Sequence, residues 1–321
     1  VEFRNEGVKS NVLGKPMKEP QNVPFEKEGQ YLKSDNRSNI SYFLEHNVLL
    51  RRFTLSVGVL ANYNSALNEG IHFYPGIDAS FRIGDNVRLY GSWNRALRMP
   101  TFTDLYYEGK TNKGNPDLKP EESEAFEVGL KYNTYFLRAH IAGFYRKGKN
   151  MIDWVKEKPE DIWESQNLTK VDNLGFETNL SLLPRELGNE RFFIRKIELG
   201  YAFIHQDKDS EGYISNYALD YLKHKFTAQL SHSIWKGFSA TWYVRWQDRA
   251  GSYTKYENLK PAYEEPYAPY CLVDMKVNWE YQRLNLYAEL NNLLNSTYYD
   301  LGNIPQPGIW FKAGFRYSFK Y

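Results

Sequence analysis

Residues 238–247 read FSATWYVRWQ, which places Phe238, Ala240, Trp242, Val244 and Trp246 on one side of an extended chain. Ser239, Thr241, Tyr243, Arg245 and Gln247 fall on the other side. Successive side chains of a strand point to opposite faces, so this pattern predicts a strand with one apolar and one polar face. The pattern recurs along the chain. Ile71, Phe73, Pro75, Ile77, Ala79 and Phe81 oppose His72, Tyr74, Gly76, Asp78, Ser80 and Arg82. Phe126, Val128, Leu130 and Tyr132 oppose Glu127, Gly129 and Lys131. Near the end, Ile309, Phe311, Ala313, Phe315, Tyr317, Phe319 and Tyr321 oppose Lys312, Gly314, Arg316, Ser318 and Lys320. One-sided burial over so many strands needs either a second sheet or a lipid phase.

The connections choose between these. Alternation predicts strands near 38–50, 52–63, 70–82, 86–97, 122–133, 135–153, 171–183, 192–207, 223–235, 238–253, 267–279, 283–298 and 307–321. Val1–Ser10 offers a fourteenth. Connectors at Leu50–Arg51, Ile83–Asp85, Asn133–Thr134, Trp235–Gly237 and Glu280–Arg283 are short, and Pro184–Glu190 is somewhat longer. They alternate with long ones near 98–121, 154–170, 208–222 and 254–266. Tight turns at one end and long loops at the other are the pattern of a membrane barrel, and a soluble sandwich has no reason to adopt it. The strands run to about 11–16 residues, where soluble sheets average roughly 5–6 and a tilted membrane strand needs about 9–11. The reading is an all-β fold, an antiparallel transmembrane β-barrel. Phe226, Ala228, Leu230 and Ile234 would face lipid, and Lys225, Thr227, Gln229 and Ser231 the lumen.

Composition agrees. Among the 321 residues are 26 Tyr, 19 Phe and 8 Trp, more aromatic rings than a soluble domain needs and suited to interfacial girdles. A mean hydropathy of -0.65 is that of a polar chain, which alternating strands also produce. The net charge of +2, with cations and acids interleaved, gives no reason to invoke nucleic acid. Cys271 is the sole cysteine, so neither a disulfide framework nor a thiolate cluster is expected. Val1 is not followed by a charged-then-apolar leader, so the chain reads as processed or as a fragment.

The segment Leu89–Lys131 reads LYGSWNRALRMPTFTDLYYEGKTNKGNPDLKPEESEAFEVGLK. Pro100 ends a strand by removing a donor, and Asn115-Pro116-Asp117-Leu118-Lys119-Pro120 is turn chemistry before the next. Tyr90–Glu127 resembles the most recognisable block of the TonB-dependent outer-membrane receptors. Gly143-Phe144-Tyr145, Met151-Ile152-Asp153-Trp154, Asn167 and Gly175-Phe176-Glu177 resemble a second unit of that family. Glu289 to Asn295, Tyr298-Tyr299 and Gly314 to Phe319 resemble its C-terminal hairpin, with Leu294 and Tyr321 where the family usually has Phe. The resemblance covers about residues 70–321 and fits the first 40 poorly. It implies a barrel of about 22 strands, of which residues 1–321 would supply the C-terminal 13–14 as a single domain, without the N-terminal plug. It also implies a Gram-negative outer-membrane receptor that contacts lipid, binds a small-molecule nutrient at its external loops, and imports it with TonB-coupled energy through the plug. The spacings Pro100–Tyr106, Asn115–Glu122 and Ile152–Glu177 most resemble cobalamin receptors, with a siderophore or other iron-chelate receptor as the alternative.

Candidate ligand-binding residues are Phe102, Tyr106 and Tyr107 in one loop and Tyr253, Tyr256 and Tyr263 in another, where rings would stack on a large flat ligand. The competing reading is girdle and loop packing. Asp207, Asp209 and Glu211 form a D-x-D-x-E group, expected in an external loop, of oxygen donors that suit Ca²⁺, or simply a solvated acidic loop. No other cofactor is expected. His46, His72, His140, His205, His224 and His232 all fall within predicted strands without paired metal spacing. No nucleophile elbow, zinc-protease helix or phosphate loop is present, so an enzyme is not expected. Competing classes are a passive porin, an outer-membrane hydrolase built on His205 with Asp207, and a soluble carbohydrate-binding sandwich.

Overall fold

The computed structural model describes residues 1–319 apart from 27, 68–69, 159, 189–190, 210–211, 216–220 and 259. Lys320 and Tyr321 of the expected final strand therefore lie outside the described residues. Among the described residues seventeen strands join in one sheet. Fourteen form the wall: β1 (Glu2–Ser10), β2 (Gln30–Leu49), β3 (Phe53–Asn64), β4 (Ile71–Arg82), β5 (Val87–Arg98), β6 (Glu121–Asn133), β7 (Leu137–Lys156), β8 (Trp163–Leu182), β9 (Ile194–Asp209), β10 (Leu222–Trp235), β11 (Phe238–Arg249), β12 (Tyr270–Tyr281), β13 (Leu284–Asn291) and β14 (Trp310–Tyr317). Each pairs antiparallel with its neighbour in chain order. The short strands Lys15–Asn22, Asn112–Lys113 and Ile214–Ser215 ride on the wall from the loops. Among the described residues no pairing joins β1 to β14, so the wall has two free edges.

The alternation reads out as expected. Val128, Leu174 and Ile234 are 58%, 56% and 56% exposed, far too open for apolar side chains in water but right for a face in lipid. On the other face, polar side chains link neighbouring strands. Tyr90 donates to Glu127 at 2.9 Å and lies 2.6 Å from His140, and Lys276 and Lys312 both donate to Glu289 at 2.6 Å. On β10, His224 and Trp235 lie eleven residues apart near the two ends of the apolar band. At about 3.3 Å per residue and a tilt near 45°, that separation spans roughly 25 Å, the height expected of such a band.

Several boundaries differ from the sequence reading. The loop expected at 154–170 is mostly strand, because β7 and β8 stay paired up to Val155 with Glu164 and run to 20 residues each. The strand expected over 238–253 stops at Arg249, where Gly251 takes φ 99° and the chain turns into a separate hairpin, Ser252–Glu257 with Lys260–Pro266. That hairpin occupies the expected 254–266 loop. The strand expected over 283–298 ends at Asn291, since Asn292 and Asn295 adopt φ of 52° and 48° and Asn292 accepts from Ser296 N at 2.9 Å in a tight turn. Asn readily takes that left-handed conformation. At the front, where the family resemblance was poor, β1 and a 20-residue β2 pair in register from Glu2↔Ser41 to Ser10↔Lys33.

Candidate ligand-binding mouth

The long loops gather at one end of the wall. Between β5 and β6, Thr101 caps the short helix α1 (Phe102–Tyr106) with a reciprocal box: its hydroxyl accepts from Asp104 N at 3.1 Å, and Asp104 accepts from Thr101 N at 3.0 Å. Two lumen-side residues of β2 hold this turn. Tyr106 donates its hydroxyl to Asp35 at 2.5 Å. Arg37 donates to Pro100 O at 2.6 Å, pairs with Glu6 at 2.6 Å, and sets its guanidinium 5.0 Å from the Phe102 ring. Burial first, and then the Asp35 carboxylate, raises the Tyr106 phenol well above its ordinary range, so it remains a donor at every physiological pH. Phe102 and Tyr106 stack at 6.5 Å, one helical turn apart, while Tyr107 meets Trp154 edge-on at 6.5 Å.

The back of the loop is clamped as firmly. Glu121 accepts a fork from Arg98 at 2.5 and 2.6 Å and a third bond from Ile152 N at 2.8 Å. Asn167 accepts from Lys119 N at 2.8 Å and donates to the carbonyls of Lys119 and Asn150 at 3.0 and 2.6 Å. Gly114 lies directly under α1: a Cβ there would sit 2.8 Å from Tyr106 N and 2.9 Å from Asp104 O. Because the obstacle is backbone, Gly114→Ala should cost about 1–3 kcal/mol and lift α1 from its support. Faster amide exchange over residues 102–107 is the expected readout, and unchanged exchange would refute this role for Gly114.

The second group surrounds the 252–266 hairpin. The Tyr253 ring lies 5.1 Å from Tyr267 and 5.8 Å from Tyr299, while the Tyr270 and Tyr298 rings meet at 4.6 Å, tilted by 37°. Gly302 must be glycine, because a Cβ there would fall 2.3 Å from Tyr253 Cβ. Lys255 pairs with Glu265 at 2.7 Å and lies 5.9 and 5.8 Å from the Tyr253 and Tyr299 ring centres. Tyr256 and Tyr263 remain 54% and 52% exposed, so their faces are free to meet a ligand.

The Lys255–Glu265 contact holds the Glu265 carboxyl below its ordinary range and raises the Lys255 ammonium. A lowered acid stabilises the fold above its unfolded pKa, about 4.3, and that contribution disappears as pH falls through the lower folded value. A raised lysine contributes below about 10.4 and is lost as pH rises through the higher folded value. The hairpin should therefore be best ordered between about pH 5 and 10 and loosen outside it. Hydrogen exchange of residues 252–266 at pH 3.5 and 6.5, corrected for intrinsic rates, checks this; Glu265→Gln should abolish the acid-side change.

The six tyrosine and phenylalanine candidates thus fall into two groups with different duties. Phe102, Tyr106 and Tyr253 are committed to packing, while Tyr107, Tyr256 and Tyr263 offer open rings. Sequence reading missed Asp35 and Arg37, which lie where no motif was legible, and Trp154, Lys255 and Glu265. The density of tyrosine over 253–270 was the available signal for Tyr267 and Tyr270.

The acidic group does not sit in a loop. Asp207 and Asp209 belong to β9, whose ladder with β8 continues through Asp172↔Asp207 to Lys170↔Asp209, and Glu211 lies outside the described residues. Among the described residues no three His, Cys, Asp or Glu side chains are arranged to hold a metal. All six histidines lie in wall strands, as expected.

With this geometry established, residues 7–293 match the family described as TonB dependent receptor-like, beta-barrel, and the chain belongs to that family. Its members are receptors and transporters rather than enzymes. The vitamin B12 transporter BtuB of Vibrio vulnificus is 25% identical over 191 residues, covering 54% of this chain and 30% of that protein. The ferrienterobactin receptor of Escherichia coli is 22% identical over 297 residues, covering 84% and 38%. The ferric enterobactin receptor PfeA of Pseudomonas aeruginosa, solved as a mutant with enterobactin, superposes with a TM-score of 0.73 at 19% identity, over 99% of this chain and 51% of that one. The siderophore receptor PirA of Acinetobacter baumannii gives a TM-score of 0.71 at 16% identity, over 99% and 51%. The chain spans about a third of the curated relatives it matches and half of the solved receptors.

Proposed function

We propose that this chain is the C-terminal part of the barrel wall of an outer-membrane receptor, and that the receptor takes up a bulky organic metal chelate with TonB-coupled energy. The observation that carries this reading is a family match over residues 7–293 on a wall with lipid-facing apolar and lumen-facing polar rows. Uptake by such a wall needs a plug and an energised partner. The mouth would capture the ligand on open rings, Tyr107, Tyr256 and Tyr263, presented by loops that Arg37, Glu121 and Asn167 hold rigid. Preorganised aromatic rings lose little entropy on binding, which suits capture of a scarce nutrient.

Within that class, cobalamin is the first reading, supported by the similarity to BtuB proteins of two bacteria. A ferric chelate is the second. It is favoured by Lys255 beside the exposed tyrosines, a setting suited to anionic aromatic groups, and by the longer alignment with the ferrienterobactin receptor. Calorimetry on the detergent-solubilised receptor that carries this chain decides between them, with cyanocobalamin and then ferric chelates. Nanomolar cobalamin binding supports the first reading. Binding of only the ferric chelates replaces it with the second, and binding of neither refutes a receptor for metal chelates.

A further inference from the structure

The two ends of the wall differ in charge. The connectors at the short-turn end, residues 50–52, 83–86, 134–136, 183–193, 236–237 and 282–283, carry six basic and three acidic residues. The connectors at the long-loop end carry nine basic and sixteen acidic ones. Long loops carry their acids out into water, whereas a turn of two or three residues stays at the membrane edge. The positive excess therefore lies at headgroup depth.

Two of these turns repeat one arrangement. The chain leaving β2 reads Leu50-Arg51-Arg52, and the chain leaving β10 reads Trp235-Lys236. Leu50 and Trp235 are 63% and 65% exposed, as side chains in the edge of a lipid phase should be. Beside Trp235 the rings continue across the lipid-facing row: Phe238 stacks on Trp279 at 5.9 Å and Trp279 on Tyr281 at 5.8 Å. Both turns are held stiffly, because Leu50 N donates to Phe53 O at 2.8 Å and Glu280 N donates to Gly237 O at 3.0 Å. Arg51, Arg52 and Lys236 are exposed at the tips. None of the three has a carboxylate within 4.0 Å among the described residues. The Lys236 ammonium lies 5.2 Å from the Trp235 ring centre, with the ring at the end of the apolar band and the charge just beyond it.

We infer that this rim binds anionic phospholipid headgroups, with Arg51, Arg52 and Lys236 on the phosphate oxygens and Leu50, Trp235 and Phe238 in the edge of the hydrocarbon. A soluble anion would meet the cations but make no use of the rings, and a neutral lipid would use the rings but not the cations. Their juxtaposition fits a lipid with a negative head. Guanidinium forks match phosphate oxygens, and each cation near an anionic leaflet strengthens attachment by about fivefold. Turn tips and lipid-facing rows lie outside the lumen, so a plug within the barrel leaves them uncovered. Such binding presupposes a wall that crosses the outer membrane, as proposed.

The test reconstitutes the receptor that carries this chain in phosphatidylcholine vesicles containing traces of spin-labelled phosphatidylglycerol or phosphatidylcholine. Electron spin resonance then compares the motionally restricted fraction of each label. At 20 mM salt wild type should hold phosphatidylglycerol about twofold to threefold more strongly, and the preference should shrink at 1 M salt as the Debye length falls. Arg51→Gln with Arg52→Gln and Lys236→Gln should remove most of that preference, whereas Lys158→Gln with Lys260→Gln in the long connectors should leave it unchanged. Heat-modifiable gel migration verifies folding; should the triple variant fail it, Lys236→Gln alone carries the test, with roughly a third of the preference lost. Equal preference in wild type and the rim variants, or a preference indifferent to salt, would overturn the inference. So would loss of the preference to inorganic phosphate at constant ionic strength, which would assign the rim to a soluble anion. Those results leave ligand capture at the mouth standing, because Tyr107, Tyr256 and Tyr263 are unaltered. Absence of any restricted lipid would overturn the membrane wall itself.

Discussion

Asp153→Ala should weaken the long-loop end of the wall by about 3–5 kcal/mol, the usual cost of stranding one partner of a buried ion pair. The Asp153 and Lys208 side chains lie 3.6 Å apart and are only 2% and 4% exposed. Ser215 also donates to Asp153, and the strand Ile214–Ser215 pairs with Val155–Lys156, so this short strand is fastened to β7. Without its carboxylate partner, Lys208 must either hold an uncompensated charge in a dry site or open the structure to water. The most direct readout is amide exchange at Val155 and Ser215, which should speed up by two orders of magnitude or more, since each 1.4 kcal/mol is tenfold. Replacing both partners, as in Asp153→Leu with Lys208→Met, should recover most of the loss, because an apolar pair of similar volume removes the charge that made the single change costly. A single variant within 1 kcal/mol of wild type would mean that water reaches Lys208.

The second large effect is expected for Arg37→Met, which keeps much of the side-chain volume but removes the guanidinium. It deletes the bonds to Glu6 and Pro100 O and the contact with the Phe102 ring, all made by a side chain only 10% exposed. Charge-assisted bonds of this kind contribute about 1.5–3 kcal/mol, so a local loss of about 2–3 kcal/mol is expected. The consequence should be functional as well as structural. With Pro100 released, α1 keeps only Tyr106–Asp35 on that side, and Tyr107 no longer presents its ring at a fixed place. Ligand affinity should fall roughly tenfold, while the wall itself, read by β-sheet circular dichroism, stays intact. An Arg37→Lys variant should recover little, because an ammonium cannot reach Glu6 and Pro100 O with one rigid fork. Unchanged exchange over residues 101–107 in Arg37→Met would show that the Thr101 cap and Asn167 suffice to hold the loop.

Alternation at 71–82, 126–132 and 238–247 was enough to name an antiparallel membrane wall, its two faces and most of its strands. That signal is local and periodic: a lipid phase on one side and water on the other force it into each strand independently. The short turns were legible for the same reason, since Gly237 and Pro184 carry their conformational preferences in their own chemistry. The loop motif between Pro100 and Glu122 was also readable, though as a family signature rather than as a set of contacts.

The remainder depended on which residues meet across the fold. Asp35 and Arg37 are unremarkable polar residues, in a segment where the sequence offered no legible motif, until β2 brings them against Pro100 and Tyr106, more than sixty positions away. Tyr106 and Tyr253 looked like their neighbours Tyr107 and Tyr256, and only packing divides the anchored rings from the open ones. Lys208 and Asp153 pair across β8, and no alternation predicts the bulge at Arg195 in the ladder between β9 and β10. Strand and facing were thus determined by sequence alone, because each residue meets its solvent locally; partnership was decided by the tertiary structure, because charge and ring contacts act over a few ångströms between segments that only the register of the folded wall brings together.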